Sequence, residues 1–158
     1  MLFRSVHIEP ESHGPVFSRH NHCPSIIECP NGDLLAVWFS CEREAGREMT
    51  LVGSRLRAGS DQWDPASLFW EAPDRNMTAA FFHREGESIH LYGALGVAGT
   101  WGQMIIYHRM SIDSGATWSP ARIIIPDHSN GQAQPANLVF RRSNGTLIGP
   151  GDDYAVNG

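Results

Sequence analysis

Lysine is absent from this sequence of 158 residues, and all twelve basic side chains are arginines. The formal net charge is −5, and the basic residues form no cluster. Nucleic acids and anionic membranes bind concentrated positive surfaces, so we expect neither as a partner. The arginine usage fits the base composition of the source genome. It also fits a ligand with a carboxylate, which arginine binds through two parallel hydrogen bonds.

Cysteine is scarce, and Cys23, Cys29 and Cys41 lack the paired spacing of a zinc site, so we expect buried free thiols. No three potential ligands have a spacing typical of a metal site, and the sequence predicts neither metal nor cofactor. No run approaches the ~20 apolar residues of a membrane span. No secretion signal opens the chain, which leaves its location open between the cytoplasm and export of a longer form.

Long helical periodicity is also absent. The chain has sixteen glycines and ten prolines, and its aromatic and β-branched residues fall in short runs. This composition is typical of many brief strands joined by tight turns. The sequence therefore predicts an all-β fold.

A repeat of about 55 residues organises the chain. The turn glycines Gly32, Gly86 and Gly145, each between two short apolar runs, lie 54 and 59 residues apart. Trp63 and Trp118, each followed closely by proline, are 55 residues apart. Such a period fits a four-stranded propeller blade.

The repeat divides the chain into parts. The predicted parts are an N-terminal lead (1–20), blade one (21–72), blade two (73–126) and the start of blade three (127–158). The predicted strands lie near 25–29, 34–40, 48–56, 67–71, 77–82, 88–95, 102–110 and 121–125. About three blades do not close a ring, so we expect unpaired edges, marginal folding of the chain alone and activity only in a longer protein.

One segment fits the pattern Ser-x-Asp-x-Gly-x-Thr-Trp at every defined position: Ser111, Asp113, Gly115, Thr117 and Trp118. The aspartate can accept backbone N–H groups in a tight turn, glycine allows a positive φ, and tryptophan packs beneath the turn. The segment resembles the Asp-box, or BNR repeat, of sialidase and neuraminidase-like propellers. That resemblance implies a structural role at the periphery of the propeller, and a degenerate copy occupies residues 54–63.

The start of blade one resembles the opening blade of the same superfamily, with one change. Sialidases have an Arg-Ile-Pro segment there, whose arginine holds the sialic acid carboxylate, whereas this chain has His22, Cys23 and Pro24. His20 and His22 are two residues apart and would point to one side of a strand. We predict that His22 is catalytic and that His20 contacts substrate, although lone histidines are more often structural.

The loop after the second strand is where sialidases place an acid/base aspartate. This chain has Glu44 there, and partial burial would allow Glu44 to donate a proton to a leaving oxygen. The neighbouring Arg43 and Arg47 are candidates for binding an acidic group. The alternative is a solvated charged loop.

Repeat position adds three further candidates for substrate binding, because residues just before the innermost strand of a blade tend to reach the central ligand. Arg75 would pair with an acidic group, and Asn76 and Gln134 would contact hydroxyls. Turn or cap roles are the alternative for each of the three.

The resemblance implies carbohydrate as the partner and leaves three functions open. The first is an exo-acting glycoside hydrolase related to exo-α-sialidases, which cleaves a terminal acidic sugar. The second is a histidine-dependent propeller enzyme acting on uronate-containing polysaccharide, either a rhamnosidase or a polysaccharide lyase. The third is a propeller that binds carbohydrate without catalysis.

Overall fold

The computed structural model describes residues 18–97, 104–126, 131–135 and 138–155, so most of the predicted lead at 1–20 lies outside the described residues. Within them every regular element is a strand, which confirms the all-β prediction. No described segment forms a helix of the length and apolarity that crossing a bilayer would require. The strands are β1 (His20–Glu28), β2 (Leu34–Cys41), β3 (Thr50–Leu56), β4 (Ser67–Trp70), β5 (Ala80–Glu85), β6 (Ser88–Gly96), β7 (Met104–Ser111), β8 (Arg122–Ile125), β9 (Gly131–Pro135), β10 (Phe140–Arg141), β11 (Leu147–Ile148) and β12 (Gly151–Ala155).

The first sheet is an antiparallel meander in the order β1-β2-β3-β4. From Leu34 to Phe39 of β2, buried residues (Leu35, Val37 and Phe39) alternate with partly exposed ones, because successive side chains point to opposite faces. This alternation gives the blade one apolar face for the core.

Strand β1 begins at His20, five residues earlier than the sequence predicts. Proline lacks an N–H group and commonly ends strand pairing, which is why the predicted strand starts after Pro24. Here a bulge accommodates the proline: the register of β1 against β2 shifts between His22 and Ser25, and Cys23 has a φ of 51°. The two histidines therefore lie on the ladder of blade one.

The second sheet repeats the meander in the order β5-β6-β7-β8. Its first strand begins at Ala80, three residues later than predicted, although Met77, Thr78 and Ala79 are already buried. The segment before β5 is held by a hydrogen bond that is not part of the strand ladder: the Gly96 N–H donates to the Asn76 carbonyl at 2.8 Å.

The third repeat is a long hairpin in two parts, with β9 paired to β12 and β10 paired to β11. Strand β9 contacts β6 and β7 of the second sheet. Two four-stranded meanders followed by paired strands of a third repeat fit the successive blades of the predicted propeller, and the described residues form an incomplete ring.

The blades share one core. Val37, Phe39 and Leu51 of the first sheet and Phe82 and Leu91 of the second sheet belong to a single buried cluster. The first strands of the two blades, β1 and β5, also lie against each other. First strands that pack together in this way are expected near the axis of a propeller.

Candidate active site

The two histidines of β1 lie on one aromatic platform. The His20 ring stacks on Phe39, with centroids 5.9 Å apart, and the His22 ring meets the same Phe39 edge to face at 5.6 Å. Phe39 is only 1% exposed, and it is the register partner of His22. A buried, well-packed side chain therefore orients both imidazoles, which confirms that they share one side of the strand.

Glu44 completes the cluster from the loop that follows β2. Its Oε1 lies 3.4 Å from His22 Nδ1, and its Oε2 lies 3.9 Å from His20 Nε2. The side chains of His20, His22 and Glu44 are 41%, 58% and 36% exposed, so a ligand can reach them. His20 Nε2 is itself buried and has no hydrogen-bond partner among the described residues. Cys23 Sγ also lies 3.7 Å from His22 Nδ1.

Asn76 fixes the loop that carries Glu44. Its side-chain amide donates hydrogen bonds to the Glu44 carbonyl at 2.8 Å and to the Gly46 carbonyl at 2.7 Å. The Gly46 N–H in turn donates to the Arg43 carbonyl at 2.8 Å. Asn76 has no exposed surface in this chain, so it supports the loop from beneath, and its predicted contact with a sugar hydroxyl stays a prediction.

Two of the predicted arginines converge on one aspartate. Arg47 donates two hydrogen bonds to the Asp74 carboxylate, at 2.8 and 2.5 Å, and these bonds lower the pKa of Asp74. Arg75 Nη1 donates to the Asp74 carbonyl at 2.7 Å and lies 3.5 Å from its carboxylate. The Asp74 carboxylate thus neutralises part of the positive charge of Arg47 and Arg75, the two arginines predicted to bind an acidic ligand. Arg43 is exposed on the same loop as Glu44.

Gln134 lies on β9, where its backbone pairs with Asp152 of β12. The sequence places Gln134 just before the first strand of the third repeat, whereas the structure places it within that strand, β9. The side chain of Gln134 lies outside what the structure describes.

The Asp-box forms the turn between β7 and β8. Asp113 accepts hydrogen bonds from the Ser111 hydroxyl at 2.7 Å and from the Thr117 hydroxyl and N–H at 2.6 and 2.9 Å. These bonds, those from Thr117 above all, lower the pKa of Asp113 to about 2. Trp118 packs between Phe69 and Phe82, with centroid distances of 5.3 and 5.9 Å.

This turn docks on blade one. Arg55 of β3 donates to the Ser114 carbonyl at 2.8 Å and to the Asp33 carboxylate at 3.0 Å. Gly115 has a φ of 78°, a backbone conformation that favours glycine, and a Cβ atom there would lie 2.9 Å from the Leu35 side chain. The Asn31 N–H, in the β1–β2 turn, donates to the Ser114 hydroxyl at 3.2 Å. That end of β1 is about 20 Å along the strand from His22, which separates the Asp-box from the histidine cluster.

The spacing of potential ligands along the chain gave no sign of the three-residue group His20, His22 and Glu44. Their ligand atoms all lie within 4.8 Å of one another. The hairpin of β1 and β2 brings Glu44 back beside histidines more than twenty residues earlier. The only local signal is the His-x-His pair, whose third partner depends on the pairing of the two strands.

The chain matches a family model described as a BNR repeat-like domain over residues 32–156. No curated protein matches the chain.

Three solved structures resemble the chain. The Hadza microbial sialidase Hz136 matches with a TM-score of 0.65 at 15% identity, over 82% of this chain and 32% of its own. A protein of unknown function from Dyadobacter fermentans matches with a TM-score of 0.60 at 16% identity, over 81% of this chain and 45% of its own. The Penicillium chrysogenum alpha-L-arabinanase, in complex with arabinobiose, matches with a TM-score of 0.48 at 21% identity, over 72% of this chain and 36% of its own. The chain spans less than half the length of each of these proteins.

Proposed function

The chain belongs to the BNR repeat-like domain family, and on that premise we propose that the protein is an exo-acting glycoside hydrolase related to exo-α-sialidases. Its substrate would be a glycan with a terminal acidic sugar. The sialidase among the structural neighbours supports this proposal through its fold. The activity is that of the whole protein, to which further blades would contribute residues.

The observation that carries the proposal is the contact of His22 Nδ1 with Glu44 Oε1 at 3.4 Å. Both groups are accessible, and β1, which carries His22, lies against β5, the first strand of blade two. The two catalytic groups of a glycosidase lie about 5 to 9.5 Å apart, so a pair at 3.4 Å would act together on one side of the scissile bond. Glu44 would protonate the leaving oxygen, His22 would exchange that proton with Glu44, and the group that activates the attacking water would come from a further blade.

Three arginines near the pair are the proposed contacts for an acidic sugar. Arg43 and Arg47 flank Glu44 in the loop, and Arg75 follows Asp74. A substrate carboxylate could exchange with Asp74 for hydrogen bonds to Arg47, because the existing pair is exposed and surface ion pairs are weak. Gln134 remains the proposed contact for hydroxyl groups, and the buried Asn76 would act indirectly, by holding the loop that carries Glu44.

The histidine at position 22 favours a second candidate, a propeller enzyme acting on uronate-containing polysaccharide. A neutral imidazole beside a carboxylate can abstract the proton next to a uronate carboxyl group, which gives elimination in place of hydrolysis. Cleavage of a rhamnose–glucuronate linkage would use the same histidine as an acid or base.

Product analysis separates these functions. The full-length protein is incubated with sialosides and with uronate-containing polysaccharides. A new reducing sugar without new ultraviolet absorbance supports hydrolysis, and an unsaturated, ultraviolet-absorbing uronate supports elimination. Binding without either product supports the non-catalytic alternative and overturns the proposal.

Two variants locate the activity. We expect His22→Ala to lower turnover by about 10² to 10⁴-fold, the usual contribution of a general acid or base. His90→Ala, which changes a histidine on β6 outside the site, is the matched control and should keep full turnover. Equal turnover of His22→Ala and the wild type would remove His22 from the mechanism.

A further inference from the structure

We propose that His20, His22 and Glu44 bind one divalent transition-metal ion, with zinc the best match, and leave at least one coordination position open to solvent. The ion would occupy His22 and Glu44, which the proposed hydrolysis uses as free proton-transfer groups, so that hydrolysis belongs to the metal-free protein and bound zinc should inhibit it. The inference stands on the geometry of the three side chains and holds whether or not the substrate is an acidic sugar.

The distances between the ligand atoms are close to those of a zinc site. Zinc binds histidine nitrogen and carboxylate oxygen at roughly 2.0 to 2.2 Å, so two ligands of a tetrahedral ion lie about 3.4 Å apart. His22 Nδ1 and Glu44 Oε1 are already 3.4 Å apart. The remaining separations are no more than 4.8 Å, and small side-chain rotations would close them.

The chemistry of the donor set selects the ion. Two imidazoles and one carboxylate are the protein ligands of several catalytic zinc sites, which keep the fourth position for water or substrate. Imidazole suits zinc, copper, nickel and iron, whereas calcium and magnesium prefer oxygen ligands alone. The same donors would therefore discriminate against the common alkaline-earth cations.

The environment of His20 also favours a bound ion. Its Nε2 atom is buried and lacks a hydrogen-bond partner among the described residues, and the nearest carboxylate oxygen of Glu44 is 3.9 Å away. This distance is too long for a hydrogen bond. Buried polar atoms are normally satisfied, and a metal ion between His20 and Glu44 would satisfy this one.

The surroundings hold the three ligands in place before any ion arrives. Phe39 packs against both imidazole rings, and Asn76 binds the backbone of the loop that carries Glu44. Metal sites depend on such supporting contacts to orient their ligands. A chance cluster of exposed side chains would lack this support.

The test is metal binding by the full-length protein after treatment with a chelator. Calorimetric titration with Zn²⁺ should give a single site per chain, and Co²⁺ should give visible ligand-field absorption. Zn²⁺ should also raise the melting temperature, because an ion that binds only the folded state stabilises it. Absence of saturable binding overturns the proposal.

Conservative variants assign the ligands. His20→Gln and Glu44→Gln should each weaken Zn²⁺ binding by about tenfold or more. The matched control is His90→Gln, which changes the other close histidine pair, His90 and His108, whose ring nitrogens are 2.9 Å apart. Unchanged affinity in both site variants, or loss of affinity in the control, overturns the proposal.

The melting temperatures of the metal-free variants check that each one folds, so a loss of affinity cannot be mistaken for a loss of structure. The binding assay needs no substrate. The binding assay therefore tests the cation site, and the product analysis separately tests the proposed hydrolysis.

Discussion

Gly93 of β6 lies directly opposite Tyr107 of β7, and a side chain at position 93 would overlap the tyrosine ring. The tyrosine is 1% exposed and packs edge to face against Trp70 at 4.5 Å. We expect Gly93→Ala to destabilise the protein by about 1 to 3 kcal/mol, the usual cost of overpacking. Urea unfolding measures this change.

The control for that variant is Gly149→Ala. Among the described residues, an added methyl group there would meet only Val139, at an ordinary 3.6 Å. It should change the free energy of unfolding little. Equal losses in the two variants would contradict the predicted overlap.

The same tyrosine predicts a stabilising substitution. The Tyr107 hydroxyl is buried and has no hydrogen-bond partner among the described residues, and burial raises its pKa. A buried hydroxyl without a partner costs free energy, so Tyr107→Phe should keep or raise stability, by up to about 1 kcal/mol. Thermal and urea unfolding of the variant test this, and a clear loss would mean that the hydroxyl has a partner.

Asp113 should contribute stability that depends on pH. Hydrogen bonds from Thr117 and Ser111 lower its pKa from 3.8 to about 2. A group whose pKa is lower in the folded state stabilises the fold above its unfolded pKa, and the contribution is lost as pH falls through the folded pKa. Asp113→Ala should therefore lower the melting temperature by a few degrees at pH 7, and the difference from wild type should shrink between about pH 4 and pH 2.

The control for Asp113 is Asp61→Ala, in the degenerate copy of the motif. Asp61 is exposed in the turn between β3 and β4. The Asp61→Ala substitution should leave the melting temperature nearly unchanged at every pH. A pH-independent loss in Asp113→Ala would contradict the role of the carboxylate.

The histidine pair of blade two should destabilise the fold in mild acid. Burial lowers the pKa values of His90 and His108 from 6.5, and the neighbouring His83 and Arg141 lower that of His90 further, while Glu85 opposes them. The unfolded chain then binds more protons than the folded chain below about pH 6.5, so stability is complete above that pH and falls below it.

Urea midpoints between pH 7 and pH 5 measure this effect. The midpoint should fall with pH, and His108→Gln should flatten the dependence because one of the two buried imidazoles is removed. A wild-type midpoint that is constant over this range would contradict the prediction.

Local chemistry made much of the fold predictable from sequence. Gly32, Gly86 and Gly145 mark tight turns by their residue type, and each has a positive φ in the structure. The repeat, the strand type and most strand bounds followed from these turns. The start of β1 did not, because Pro24 signals a strand end and only the pairing with β2 shows that a bulge absorbs it.

The candidate site could be proposed from sequence as a set of positions and not as a set of contacts. The spacing of His20 and His22 gave their shared side, and the superfamily pattern gave Glu44. The burial of Asn76 and the pairing of Arg47 with Asp74 could not be predicted, since they depend on how a loop folds over the next blade. The grouping of His20, His22 and Glu44 likewise depends on the pairing of β1 with β2 and could not be predicted.

Arg55 ties the two blades together through groups 22 and 59 positions away, at Asp33 and Ser114. Because one guanidinium holds both the turn of its own sheet and the turn of the next, neither sheet can loosen at that seam without releasing the other. The two sheets should consequently unfold in one transition. If further repeats are joined by interactions of this kind, unfolding should become more cooperative with each sheet added.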